Sequence, residues 1–158
     1  MKQIKTKQKI ENKVENKMET DSKMEYGYEI KIPKERVAVL IGTKGETKRA
    51  IEQLTKTKLQ IDSEEGDVVV GGSDAITLYS TKEMIQAIGR GFNPEIARLL
   101  IKQAYSFELI NLGDWVKTKD ELERVRGRVI GEGGKSRMRI EDLTETSICV
   151  YGKTIGII

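Results

Sequence analysis

Two glycine-framed tetrads have residue types and spacing suited to binding chemistry in this 158-residue chain: Gly42-Thr43-Lys44-Gly45 and Gly131-Glu132-Gly133-Gly134. Glycine has no Cβ, so the backbone can turn sharply there and let a bulky ligand approach closely. Each tetrad opens a stretch of helical pattern. The first amides of a helix lack intrahelical partners and carry partial positive charge, so a phosphate set against them satisfies them. In the first tetrad Thr43 offers a hydroxyl and Lys44 a cation, and Lys48 and Arg49 reinforce the next turn. In the second, Arg126, Arg128, Lys135, Arg137 and Arg139 surround Glu132, whose sign opposes a phosphate. Either Glu132 turns away or the second tetrad is the weaker binder.

Other chemistries are thinly supplied. The chain has no histidine and one cysteine, Cys149. That removes histidine acid–base catalysis, Ser/His and Cys/His nucleophile pairs, an internal disulfide and any His or multi-Cys zinc site. No cofactor or metal is called for. Gly134-Lys135-Ser136 imitates the end of a nucleotide-binding P-loop, but that motif needs glycine where Val129 stands. With no apolar run of roughly 18 residues and no secretory signal, the expectation is a cytoplasmic protein with no membrane contact.

The elements that must position the tetrads are short. Residues 1–25 alternate charged and amide residues with a thin stripe at Ile10, Val14 and Met18, and read as a disordered tail, helical when a partner binds. Residues 28–32 alternate polar and apolar as a strand should, Pro33 ends them, and a brief helix over 36–41 runs into the first tetrad. A second helix reaches about Lys56. Leu59 and Ile61 begin a strand, an acidic turn covers 62–67, and Val68 to Val70 form another strand. Ser73 or Asp74 caps a helix reaching Gly89, with Ile76, Met84, Ile85 and Ile88 for its buried face. Asn93-Pro94 opens a helix over roughly 94–104, and Phe107, Leu109 and Ile110 signal a strand.

The chain then matches itself. A shift of 89 residues carries Leu40-Ile41-Gly42 onto Val129-Ile130-Gly131, Gly45 onto Gly134 and Thr47-Lys48 onto Ser136-Arg137. Ile51-Glu52, Leu54-Thr55 and Thr57 fall on Ile140-Glu141, Leu143-Thr144 and Thr146, and Leu59 and Ile61 on Ile148 and Val150. That register points to a duplicated small domain, with Ile51 and Leu54, and likewise Ile140 and Leu143, facing a sheet. Charge follows the same division. Residues 31–62 and 117–140 each carry eight Lys/Arg against four Asp/Glu, whereas 63–116 carry four against eight. Two anion-binding faces account for this, as do two solvated helix faces.

An Ile-Gly-x-x-Gly run, a following helix and a Thr-x-x-Ile/Leu-x-Ile strand, present twice in register, resemble the KH fold. The resemblance implies an α+β protein of two tandem type I (eukaryotic-type) KH domains, each a three-stranded sheet packed on helices. It also implies single-stranded RNA clamped at the tetrads, with bases splayed over an apolar groove. Val39 and Ile41 would wall the first groove on one side, Leu59 and Ile61 on the other; Ile130, Ile148 and Val150 are their counterparts. Plain core packing is the competing role for these residues. The expected division is a tail over 1–25, a first KH domain over 26–92, a linker helix over 93–105 and a second KH domain over 106–158.

Ala87-Ile88-Gly89-Arg90-Gly91-Phe92-Asn93-Pro94-Glu95, the run from Val125 to Gly131, and Val150-Tyr151-Gly152-Lys153-Thr154 narrow the resemblance. Together with the two repeats they are similar to the archaeal small-subunit ribosomal-RNA-processing KH proteins related to eukaryotic partner-of-Nob-one. That implies binding near the 3′ end of small-subunit rRNA during its maturation. The implied associates are the endonuclease that trims that end and the alpha subunit of archaeal initiation factor two. Arg90, between two glycines, serves a structural turn or reaches RNA. Ile155-Gly156-Ile157-Ile158 ends the chain where a closing helix is expected, so the second domain is expected to be incomplete and the chain a fragment. The competitors are a protein-interaction scaffold without RNA grip and, less suited to this composition, a nuclease.

Overall fold

The computed structural model describes residues 26–158, and the expected tail lies outside them. The first module runs β1 (Tyr26–Lys31), α1 (Lys34–Ile41), α2 (Glu46–Thr55), β2 (Lys58–Ile61), β3 (Asp67–Gly72) and α3 (Ala75–Gly89). The second runs β4 (Glu108–Asn111), α5 (Lys119–Ile130), α6 (Lys135–Thr144), β5 (Ile148–Tyr151) and β6 (Thr154–Ile157). A short α4 (Pro94–Ala97) lies between them. Both sheets are antiparallel with the last strand central, in the orders β1-β3-β2 and β4-β6-β5. No helix among the described residues is long and apolar enough to cross a membrane.

Local chemistry sets the element ends. The Asp74 carboxylate accepts from the amide and hydroxyl of Thr77, the amide at 3.0 Å, and starts α3. Thr118 and Glu121 form a reciprocal capping box at the head of α5. The two hairpins differ: residues 62–66 join β2 to β3, whereas Gly152-Lys153 alone join β5 to β6. The 89-residue match therefore lapses after Val150.

The first core collects Ile30, Leu40, Ile51, Leu59, Val68 and Val70 under α3, which contributes Leu78, Met84, Ile85 and Ile88. Its stripe recurs at helical spacing from Leu78. Ile76, expected in it, lies two residues from Leu78, on roughly the opposite side of the helix, and is 70% exposed. Leu54 and Leu143 likewise do not face their sheets, because the inner stripe of α2 runs from Ile51 to Thr55. The second core is smaller: Leu112, Ile148 and Ile155, with Leu122, Val125, Val129, Val150 and Ile157 half-buried around them. Among the described residues no helix covers this core as α3 covers the first. Ile51 is 0% exposed, whereas its counterpart Ile140 is 37% exposed and Leu143 is 68% exposed.

The helix expected over 93–105 is also shorter. Asn93 caps it with its side chain on the Glu95 amide, but the α-helix ends at Ala97 and tightens into a 3-10 turn over Arg98–Ile101. Ala97 and Leu100 are both buried against the first core. A 3-10 turn places residues three apart on one side, which an α-turn does less well.

The two modules share a joint. The outer face of the second sheet presents Gly156 and Cys149 to the turn after α3, and Ile158 joins the first core. Phe92 and Phe107 meet edge-to-face with centroids 6.1 Å apart, and a Cβ on Gly156 would lie 2.6 Å from the Phe92 ring. Gly91, at φ +101°, is pressed against Cys149, where a Cβ would lie 2.8 Å from Sγ. Arg36 holds the turn, donating from Nε to the Ile88 carbonyl and from Nη2 to that of Phe92, each at 2.9 Å. Tyr151 donates across the joint to Glu35, which pushes its phenol above its ordinary value.

Candidate nucleic-acid interface

Each tetrad sits between two helices as a single 3-10 turn, with the same backbone in both copies. Gly42 and Gly131 have φ/ψ of 71°/177° and 72°/172°, and Gly45 and Gly134 have 79°/19° and 81°/6°. Between them Lys44 and Gly133 share a left-handed conformation, at φ 53° and 59°. The amide of Gly42 donates to Ala38 at 2.9 Å and that of Gly131 to Gly127 at 2.8 Å, ending the preceding helix in the same manner. Glycine is required at the first position. A Cβ on Gly42 would lie 2.8 Å from the backbone nitrogen of Thr47, and one on Gly131 would lie 2.7 Å from that of Ser136.

The match extends to the hydrogen bonds behind the tetrads. Glu52 accepts from the Leu59 amide at 2.8 Å and Glu141 from the Ile148 amide at 2.7 Å, clasping each helix to its edge strand. Thr55 and Thr144 each donate to the carbonyl four residues back and meet Thr57 and Thr146 at 2.7 and 2.8 Å. Lys56 and Glu145, at φ 53° in both, end the two helices left-handed. Sequence reading aligned Glu52 with Glu141 but gave them no role. An acidic residue repeated in register seven positions before a strand amide was the available signal.

Thr43, Lys44 and Arg49 are exposed in the first copy, and Glu132, Gly133 and Lys135 in the second. No side chain caps the helix that begins at either tetrad. Among the described residues no carboxylate pairs with Lys44, Lys48, Arg128, Lys135 or Arg139, and no cation with Glu132. Two of the expected binding cations are engaged internally. Arg49 donates to the Lys44 carbonyl at 2.9 Å, bracing the turn, and Arg137 donates to the Ile148 carbonyl at 3.3 Å while lying 3.8 Å from Glu141. Arg126 occupies the position of the buried Val37, with its Nε buried and unpartnered among the described residues.

Of the expected groove residues, Val39, Ile41 and Ile61 are half-buried against the first core, and Ile130 and Val150 half-buried in the second module. Leu59 and Ile148 are more enclosed. They are 2% and 6% exposed and belong to the cores, because each points inward from an edge strand whose amide is clasped by Glu52 or Glu141. Two clefts lie away from both tetrads. One of about 400 Å³ runs between β1, α3 and Phe107 beside Arg90, and one of about 580 Å³ lies at the head of α5. No group of three His, Cys, Asp or Glu among the described residues is placed to hold a metal ion.

Comparison with known proteins identifies the two modules. Residues 27–90 match the KH domain family, and residues 106–158 match the eukaryotic type KH-domain (KH-domain type I). A KH domain-containing protein of Methanocaldococcus jannaschii is 44% identical over 133 residues, which are 82% of this chain and 58% of that protein. The chain thus spans little more than half the length of that relative. The crystal structure of Dim2p from Pyrococcus horikoshii OT3 is similar at 44% identity and TM-score 0.79, covering 84% of this chain and 80% of that one. A second structure from the same organism, a complex of a/eIF2alpha, aDim2p and rRNA, matches at 45% identity and TM-score 0.79, covering 84% and 75%. With a KH domain over 27–90 and a type I KH domain over 106–158, this chain belongs to the KH-domain family that includes Dim2p of Pyrococcus horikoshii.

Proposed function

We propose that this chain is a non-enzymatic, single-stranded RNA-binding ribosome-assembly factor that grips RNA at both tetrads. The observation that carries the reading is the duplicated loop: two backbone turns of the same φ/ψ, each opening an uncapped helix beside unpaired cations. A phosphate strand meets a glycine-framed turn and exposed ammonium groups there, while the half-buried Val39, Ile41 and Ile61 offer apolar surface to bases. The rRNA in the complex of the similar Pyrococcus protein supports rRNA as the target; the small subunit and its 3′ end are proposed on the family resemblance alone. That complex also supports the alpha subunit of archaeal initiation factor two as a partner. The endonuclease that trims the rRNA 3′ end is proposed on the family resemblance alone.

Replacing Thr43 and Lys44 with Asp tests the grip. Repulsion at the helix entrance should lower RNA affinity by at least about tenfold, since one charge-assisted contact to phosphate is worth about 1.5–3 kcal/mol. The far-UV spectrum should be unchanged, because both side chains are exposed. Undiminished affinity would favour a protein-interaction scaffold, a reading the exposed Ile140 and Leu143 of the second module also suit.

A further inference from the structure

We propose that a further single-stranded RNA contact lies at the head of α5, where Trp115 stacks on an unpaired base and Lys117, Lys119 and Lys153 hold the adjoining phosphates. It rests on the RNA-binding reading above but uses neither tetrad. Trp115 is the single tryptophan of the chain and is 81% exposed. Val116, the next residue in the chain, and Leu122 floor the cleft of about 580 Å³, and the three lysines line it. A tryptophan left in water one residue from a cationic, apolar-floored cleft matches what unpaired bases and their backbone need.

The site belongs to the second module alone. Measured back from the tetrad, α5 has 12 residues where α1 has 8, so the segment carrying Trp115 has no counterpart in the first copy. It is held in place. The Trp115 and Val116 amides donate to the Leu112 carbonyl at 3.0 and 3.1 Å, and the Leu112 amide donates to the Lys153 carbonyl at 2.8 Å. Trp115 and Lys153, 38 positions apart, are thereby tied into one unit.

The helix entrance itself is closed to an anion. The Glu121 carboxylate accepts from the amides of Lys117 and Thr118 at 3.0 and 3.3 Å, so phosphates here must be met by side-chain ammonium groups. Of the nearby acids, Asp114 is engaged by Asn111 at 2.9 Å, and Glu123 approaches Lys119 only at 3.9 Å. α5 spans roughly 18 Å at 1.5 Å per residue. An RNA strand leaving the second tetrad along this helix would reach the cleft with nucleotides beyond those held in the groove.

The lone tryptophan is its own reporter. The full chain is titrated with an end-labelled RNA dodecamer of mixed sequence while label anisotropy and Trp115 emission are followed together. Both should saturate at the same RNA concentration, with emission quenched. Trp115→Ala should weaken binding by roughly tenfold and Trp115→Phe should recover most of it. Changing Lys117, Lys119 and Lys153 to Gln should lower the slope of log affinity against log salt by about 2. Normal anisotropy with unquenched emission and an unaffected Trp115→Ala variant would overturn the proposal and leave the tetrads as the grip. No anisotropy change at all would overturn both.

Discussion

Replacing Gly42 with Ala should damage the protein far more than replacing Gly45 with Ala, though both glycines have positive φ. At φ 71° and ψ 177°, Gly42 occupies a region essentially closed to residues with a Cβ, and forcing one there costs about 1–3 kcal/mol. The new methyl would also lie 2.2 Å from Thr47 Oγ1 and 2.8 Å from the Thr47 backbone nitrogen. A rotamer change can move the hydroxyl but not the nitrogen, so relief requires shifting the first turn of α2, at a further cost of about 1–3 kcal/mol. Gly45, at φ 79° and ψ 19°, sits in the ordinary left-handed well with nothing within 4 Å of a Cβ, so only about 1–2 kcal/mol is at stake. Urea unfolding followed by far-UV ellipticity separates the two. With a slope of about 1–3 kcal/mol per molar, an excess of about 2 kcal/mol moves the midpoint by roughly 0.7–2 M. Equal midpoints for the two variants would refute the claim that the Thr47 backbone, rather than left-handed φ alone, demands glycine at the first position.

Removing the Glu52 carboxylate as Glu52→Ala should cost about 1–3 kcal/mol by orphaning the Leu59 amide, and Glu52→Gln should cost less because its carbonyl can still accept; thermal melts measure both. Gly156→Val should pry the modules apart at Phe92, at about 1–3 kcal/mol, and a thiol reagent should then label Cys149 faster than in the parent protein. Burial pushes the Cys149 thiol above its ordinary value of 9.0. The folded state therefore prefers the protonated form: the contribution is complete below the pKa of the exposed thiol and is lost as pH rises through the folded value. Urea midpoints measured across the alkaline range should fall less steeply for Cys149→Ala than for the parent.

Much of the site was legible because its causes are local. A glycine at the end of an apolar helix, a second glycine three residues on and a Thr-x-x-apolar-x-apolar run each constrain only their neighbours' backbone, so their recurrence after 89 residues predicted two equal turns. The Asp74 cap and the Asn93-Pro94 helix start were readable for the same reason. What depended on neighbours distant in sequence was not. Ile76, Leu54 and Leu143 are as apolar as Ile51, and their exposure follows from which side of a helix another element covers. The near-equal hydrophobicity of Leu59 and Val39 could not say that one is enclosed and the other half-open. Sequence by itself determined the bends of the backbone, through positive φ and short-range caps. Only tertiary packing decided which apolar surfaces meet, because the joint of Gly91, Phe92, Cys149 and Gly156 gathers residues up to 65 positions apart whose fit is steric.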